Sequence, residues 1–255
     1  MPLPSPWLYP RLIAHRGAGR TAPENTLAAM RLGASCGFSM MEYDVKLSKD
    51  RIAILLHDDD LERTSNGHGP VAQFTLAELA QIDFGGWHGK AYAGEPIATL
   101  HAVANFTRAN DISSNIEIKP SVGMDAETGM QVARLANRLW AGAKLPPLLS
   151  SFSETALQAA KEEAPDLPRA LLIEKELPQD WVERVQRLAC KGLNLNHRYT
   201  TRTIVEDIRA AGYTVVVWTV NELARARELL EWGCEAVVTD EITALAASKF
   251  PPHLL

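Results

Sequence analysis

The sequence predicts a (β/α)8 TIM barrel, read as a single domain over 1–255, and three observations carry that reading. Eight short apolar runs recur along the chain, helical patterns separate them, and a length of 255 residues is close to the usual one for this barrel. One further strand-like run interrupts the rhythm, and the long irregular stretch behind it marks an insertion.

The first strand is read at 11–15 (RLIAH) and the second at 38–45 (FSMMEYDV), with a helix over 24–36 between them. Pro23 suits the first turn of that helix, and Asn25 or Thr26 can cap its exposed N–H groups. IAILLH at 52–57 follows the second strand after only LSKDR. A parallel crossover needs about ten residues or more, so this run returns antiparallel as a hairpin extension. With Lys49 and Asp50 as the turn, His57 falls opposite Glu42; a turn one residue longer sets it opposite Tyr43.

Residues 58–96 are rich in Gly, Asp and aromatics, with one short helical patch, TLAELAQI. A loop this long is usually functional, so 58–96 is read as a small cap inserted over one end of the barrel, the alternative being a surface insertion without a role. The remaining strands are read at 112–118, 147–151, 168–173, 192–196, 213–219 and 235–239. Helices are read at 98–110, 125–142, 153–164, 180–190, 201–211 and 221–232, with a closing one at 241–249.

With 26 basic against 31 acidic residues the net charge is -5, so no global positive field is available to gather nucleic acid, and only a local anion site remains open. The start, MPLPSPWLYPRLIAHRG, has no basic segment leading into an apolar core, and no stretch approaches the roughly 20 apolar residues of a bilayer span. A cytoplasmic protein without stable membrane association is expected. Cys36, Cys190 and Cys234 are odd in number and widely spaced, which points to reduced structural thiols.

Polar residues that core packing does not explain fall at predicted strand ends: His15 and Arg16 on the first, Glu42 and Asp44 on the second, Glu117 and Lys119 on the third. In a parallel barrel these ends converge on the face where βα loops build the active site. Glu42 and Asp44, two apart on a strand, point to one face, and Glu117 on the adjacent strand can reach the same point. Three crowded carboxylates raise one another's pKa unless a cation neutralises them, and an all-oxygen set suits Mg²⁺ or Ca²⁺ better than zinc. The competing account is ion pairing with Arg16 and Lys119. His15 and His57 are the histidines that strand arithmetic brings beside the carboxylates, and such a pair can divide proton transfer between nucleophile and leaving group. Arg16 and Lys119 add fixed positive charge for a phosphoryl group.

The stretches HRGAGRTAPENTLAA (15–29), EYDVKLSKD (42–50), HDDDLERTSNGHGPV (57–71), FGGWHGKAYAGEPIATL (84–100), EIKP (117–120), SF (151–152) and VVVWTVN (215–221) together resemble the glycerophosphodiester phosphodiesterase family along nearly the whole chain. The resemblance implies a metal-dependent barrel hydrolase that cleaves small glycerophosphodiesters, such as glycerophosphocholine or glycerophosphoethanolamine, into glycerol 3-phosphate and an alcohol. It implies catalysis by His15 and His57, metal binding by Glu42, Asp44 and Glu117, phosphate contacts by Arg16 and Lys119, and Trp218 at the substrate mouth. By strand parity alone Trp218 is equally a core residue. His15 is expected as general base and His57 as general acid. The attacking group is either the neighbouring glycerol hydroxyl or water. The rival readings are a phospholipase C-like or D-like lipid phosphodiesterase and a non-catalytic barrel that binds phosphate metabolites. Departures from the family pattern are Arg51 where glycine is common after SKD, IATLHA at 97–102, and no proline in TDEI at 239–242.

Weaker signals complete the reading. Asp58 is taken as a brace for the turn after His57, Glu24 and Asn25 as support behind the site, and Ser151 as a residue lining the pocket. Trp87, Phe84 and Tyr92 either close an apolar lid or form the insertion's own core. His68 and His88 are expected at the surface.

Overall fold

The computed structural model describes residues 7–255. The reading of the chain start falls in part on 1–6, outside the described residues. Eight strands form a closed parallel barrel: β1 (Leu12–Ala14), β2 (Met40–Leu47), β4 (Ser113–Ile118), β5 (Leu148–Ser151), β6 (Arg169–Ile173), β7 (Gly192–Asn196), β8 (Thr214–Trp218) and β9 (Ala236–Thr239). Pairing of Ala14 with Met41 closes it between β1 and β2. The extra strand β3 (Ala53–Leu55) adds antiparallel to β2 as the spacing requires. Its register joins Val45 to Leu55, the longer-turn alternative, because Asp50 and Arg51 both sit in the turn between Ser48 and Ile52. Arg51 adopts φ 63°, the left-handed conformation that glycine takes without a Cβ penalty, so its divergence from the family falls on a turn that favours glycine.

Strand alternation sorts the wall into two layers. Met41, Tyr43, Val45, Ile116, Leu171, Leu193, Val215 and Val237 face outward into the main core beneath the helices. Ile13, Met40, Val216, Ala236 and Val238 fill the barrel interior. Along this inward row apolar residues give way to polar ones at the C-terminal ends: Ile13 to His15, Met40 to Glu42 and Asp44. The barrel is therefore plugged below and chemically equipped above.

The helices are α1 (Leu27–Ser35), α2 (Leu76–Leu79), α3 (Leu100–Ala109), α4 (Asp125–Leu139), α5 (Glu154–Glu163), α6 (Trp181–Arg187), α7 (Arg202–Ala210) and α8 (Leu223–Glu231). Hydroxyls of Thr26, Thr99, Ser153 and Thr201 accept from the backbone three residues on and fix four of the starts. The expected helix at 241–249 does not form; the segment makes a turn and a short 3-10 stretch at Ala247–Lys249. Pro251 drives Phe250 into an extended conformation and cuts the run too short for an α-helix.

The insertion has its own apolar core. Leu61, Val71, Leu79 and Phe84 are buried against Ile54, Leu56 and Ile97, so Phe84 belongs to this core while Trp87 stays exposed. Tyr92 packs instead against the main core.

At the opposite end, the buried Arg169 side chain donates to the carbonyls of Ala164, Leu167 and Leu188, binding the last turns of α5 and α6 to the start of β6. Arg169→Met should lower unfolding stability by about 2–4 kcal/mol, since several buried carbonyls lose their donor. Chemical denaturation would show the loss, and kcat measured well below the transition should be unchanged.

Candidate active site

The C-terminal ends of the strands enclose a cavity of about 370 Å³ lined by His15, Arg16, Glu42, His57, Glu117, Lys119, Phe152 and Trp218 among others. A larger cavity of about 700 Å³ opens at the N-terminal ends near Tyr9, Ser39 and Ser113, but among the described residues no carboxylate cluster converges on it. Residue chemistry, and not volume, marks the site.

At its floor, Glu42, Asp44 and Glu117 each offer a carboxylate oxygen within 4.8 Å of the others. Asp44 lies level with Glu117 in the β2–β4 register, which is why residues 73 positions apart meet. One oxygen of Glu42 accepts from the Arg16 backbone N–H at 3.1 Å, whereas the other is buried without a hydrogen-bond partner. Burial, followed by repulsion from Asp44 and Glu117, raises Glu42 well above the carboxylate range. Burial, then Asp44, raises Glu117 to about 7. Burial acts the same way on Asp44, but Arg16 and Lys119 outweigh it and hold this carboxyl far below its ordinary value. Two strained carboxyls, one ionised carboxylate and an oxygen with no donor are what a hard divalent cation would resolve. The residues fit such an ion.

Arg16 follows β1 in a left-handed conformation, φ 51°, which turns its backbone N–H to Glu42 and its side chain to Glu24, 2.7 Å, and Asp44, 3.4 Å. Gly33 permits this loop, because a Cβ there would lie 2.0 Å from the carbonyl oxygen of Gly17. Lys119 pairs with Glu117 at 2.9 Å and with Asp44 at 3.5 Å. The ion pairs and the cluster coexist, so each cation is held by the carboxylates whose repulsion it reduces. Asn25 donates from its side-chain amide to the Asp44 carboxylate and accepts the Asp44 backbone N–H, holding this residue by side chain and backbone alike.

Both histidines sit in the cavity wall with Nδ1 engaged. His15 Nδ1 lies 2.6 Å from Asp240, and its Nε2 is 3.8 Å from Glu42. His57 Nδ1 lies 2.6 Å from Asp58, so Asp58 braces the imidazole itself. A carboxylate at Nδ1 fixes the ring and leaves Nε2 for proton transfer. Burial, partly opposed by Asp44, lowers His57 below the ordinary imidazole value. Burial pushes Asp240 up, yet the bond to His15 prevails and leaves it at about 2.

Asp240 is the functional partner that sequence reading passed over. It stands one residue beyond β9 on the inward parity, and Asn221 holds it through both side chain and backbone. A polar residue at a strand end was available as a signal, although its partner lies 225 positions away. Trp218 packs on the barrel interior, lines the cavity, and meets Phe152 edge to face with ring centres 5.5 Å apart. Ser151 does not line the cavity; its hydroxyl turns to the Ile118 carbonyl and Phe152 takes that place. His88 bonds the Arg20 carbonyl away from the cavity, and His68 is exposed. Cys36, Cys190 and Cys234 are free, and burial pushes the latter two up to about 12, which keeps them as thiols.

A closed parallel barrel with paired histidines, an acidic trio and two cations defines a phosphodiester hydrolase of the barrel type. The profile of the glycerophosphoryl diester phosphodiesterase family matches residues 15–244, and the chain belongs to that family. It is an enzyme that hydrolyses glycerophosphodiesters to glycerol 3-phosphate and an alcohol. It is 30% identical over 230 residues to the glycerophosphodiester phosphodiesterase of Caldanaerobacter subterraneus subsp. tengcongensis, covering 90% of this chain and 93% of that one. The structure of an Oleispira antarctica phosphodiesterase in complex with its product sn-glycerol 3-phosphate superposes with a TM-score of 0.87 at 36% identity, covering 92% of this chain and 94% of the other. A glycerophosphodiester phosphodiesterase from Agrobacterium tumefaciens superposes with a TM-score of 0.78 at 28% identity, covering 93% and 99%. Among the described residues no helix is long and apolar enough to cross a membrane.

Proposed function

We propose that the hydrolysis is carried out on small, water-soluble glycerophosphodiesters by His15 and His57, with Glu42, Asp44 and Glu117 holding Mg²⁺ or Ca²⁺. The observation that carries this reading is the convergence of both imidazoles, three carboxylates, Arg16 and Lys119 around one cavity. When bound, the cation supplies Lewis-acid polarisation of the phosphate oxygens. Arg16 and Lys119 bind the non-bridging oxygens and stabilise charge that accumulates as the bond to the leaving alcohol breaks. His15, steadied by Asp240, takes at Nε2 the proton of the attacking group, either water, which gives glycerol 3-phosphate directly, or the neighbouring glycerol hydroxyl, which gives a cyclic phosphate that water then opens. His57, braced at Nδ1 by Asp58, gives a proton from Nε2 to the departing oxygen. Trp218 and Phe152 wall the organic part of the substrate.

Metal-stripped protein should be incubated with glycerophosphocholine, glycerophosphoethanolamine, intact phosphatidylcholine and its lyso form, with and without Mg²⁺ or Ca²⁺. Metal-dependent release of glycerol 3-phosphate from the soluble diesters alone is the expected result. Preferential cleavage of the intact lipid would support a lipid phosphodiesterase, and an unaltered panel would support a binding module.

The raised carboxyls give the metal site a pH signature. Between about pH 4.5 and 7 the folded protein holds a proton on Glu117 that the unfolded chain has released, and the raised Glu42 acts in the same direction, so metal-free stability falls as pH rises through this window. Mg²⁺ or Ca²⁺ must displace those protons. Differential scanning fluorimetry should therefore show a larger metal-induced rise in Tm at pH 8 than at pH 6. An equal rise at both values would contradict the assignment.

The insertion at 58–96 is proposed as a cap that bears on the alcohol side of the substrate. Its separate core, with contacts from Glu95 to the start of α1 and from His88 to the β1–α1 loop, supports a subdomain seated beside the site. Deleting the segment around Trp87 while keeping His57 should weaken discrimination among diesters of different alcohols more than inhibition by glycerol 3-phosphate. Equal losses would make the insertion structural only, and circular dichroism would guard against misfolding.

A further inference from the structure

Behind the His57 imidazole and the Arg16 guanidinium lies a charged array that the proposed proton transfers do not use. Arg63, in the insertion, donates through Nε to Asp58 Oδ2 at 2.5 Å and through Nη2 to Asp58 Oδ1 at 3.0 Å. Its other edge donates to Glu24, Nη1 to Oε2 and Nη2 to Oε1, both at 2.8 Å. Asp58 Oδ1 is the atom that engages His57 Nδ1, and Glu24 Oε1 is the atom that accepts from Arg16 Nη1 at 2.7 Å. An unbroken chain thus runs from His57 through Asp58, Arg63 and Glu24 to Arg16.

We infer that Arg63 is a positioning residue: its guanidinium, gripping Asp58 and Glu24 on two edges, fixes the His57 imidazole relative to the Arg16 guanidinium. Isolated exposed ion pairs add little to stability, and the half-exposed Arg63 is not needed to fill a core. A planar fork that meets two carboxylates at once supplies orientation, which a lysine point charge cannot reproduce. Asp58 follows His57 directly and lies in the half-buried bend beyond β3. Without Arg63 its carboxylate loses two of its bonds and turns more freely, and the His57 ring loses a fixed acceptor. Glu24 keeps its pair with Arg16, so the larger effect passes through His57. The same guanidinium fastens the insertion to the loop after β1.

The inference rests on the proposed role of His57, and a double-mutant cycle separates the two. Full-length, Mg²⁺-saturated enzyme is assayed on glycerophosphocholine as wild type, Arg63→Met, His57→Ala and the double variant. Arg63→Met should lower kcat roughly tenfold to a hundredfold, part of what proton transfer contributes, with KM within about threefold. In the His57→Ala background the same change should cost less than about threefold, because the group it positions is gone. Arg63→Lys should stay closer to Arg63→Met than to wild type, and it supplies the same cycle should thermal unfolding show Arg63→Met to be misfolded. A crippled His57→Ala with independent, multiplying losses would overturn the positioning role alone, as would an effect confined to KM. Full activity in His57→Ala would overturn the histidine reading and this inference with it.

Discussion

Glu42→Gln is expected to reduce metal affinity and turnover by about a hundredfold or more, since changes merely behind a metal ligand already cost up to that much. It is the cleanest of the three carboxylate substitutions. The carbonyl of the introduced amide can still accept from Arg16 N–H, while its NH₂ group replaces the oxygen that has no partner in the protein. Asp44→Asn would also disturb the bond that its carboxylate accepts from Asn25, and Glu117→Gln would release Lys119 from its closest carboxylate. Because burial already disfavours the ionised form of Glu42, the neutral amide should leave metal-free stability at pH 8 unchanged or higher. Isothermal titration of metal into the variant, alongside its unfolding curve, tests both halves. Undiminished affinity in Glu42→Gln and its two companions would return the trio to plain ion pairing with Arg16 and Lys119.

The second large effect separates the histidines by leaving group. A general acid matters most when the departing alkoxide is poor, whereas a base is needed for attack whatever departs. His57→Ala should lose about a hundredfold to ten-thousandfold on glycerophosphocholine but retain far more activity on a glycerol phosphodiester with a p-nitrophenyl leaving group. His15→Ala should be crippled on both, and Asp240→Asn should follow it to a lesser degree because Asp240 orients His15. If His15→Ala is the variant spared by the activated ester, the roles are reversed. Activity intact in both variants on every substrate would remove proton transfer from the pair altogether.

The barrel was legible because strand runs and amphipathic helices have distinct periods, and the hairpin because five residues cannot make a parallel crossover. The hairpin's register was open, since a one-residue change in the turn is invisible to hydrophobic pattern; the structure joins Lys46 to Ile54. The segment 241–249 has helix-forming residues, yet two prolines behind it decide its conformation. Charged residues at strand ends made the acidic trio and the two cations legible as one cluster, because burying them against apolar neighbours requires that they meet partners there. Asp240 and Arg63 were harder to see: each acts on a group delivered by another loop, and pairing between loops has no sequence period. Ser151 misled because its strand-end position is shared with lining residues, while its hydroxyl is consumed by the Ile118 carbonyl.

If 58–96 is the cap subdomain proposed above, its small apolar core, shared with Ile54, Leu56 and Ile97, would resist opening less than the barrel. Seven buried side chains hold the smaller unit together, against a barrel core several times larger. Partial unfolding that releases only the smaller unit requires less free energy than melting the whole chain. His57 stands at its root, beyond β3, whereas the acidic trio, Arg16, Lys119 and His15 are set on the barrel. On warming, such an opening would silence proton donation first and leave an intact anion pocket, so the protein would go on holding glycerol 3-phosphate at temperatures where it no longer makes it.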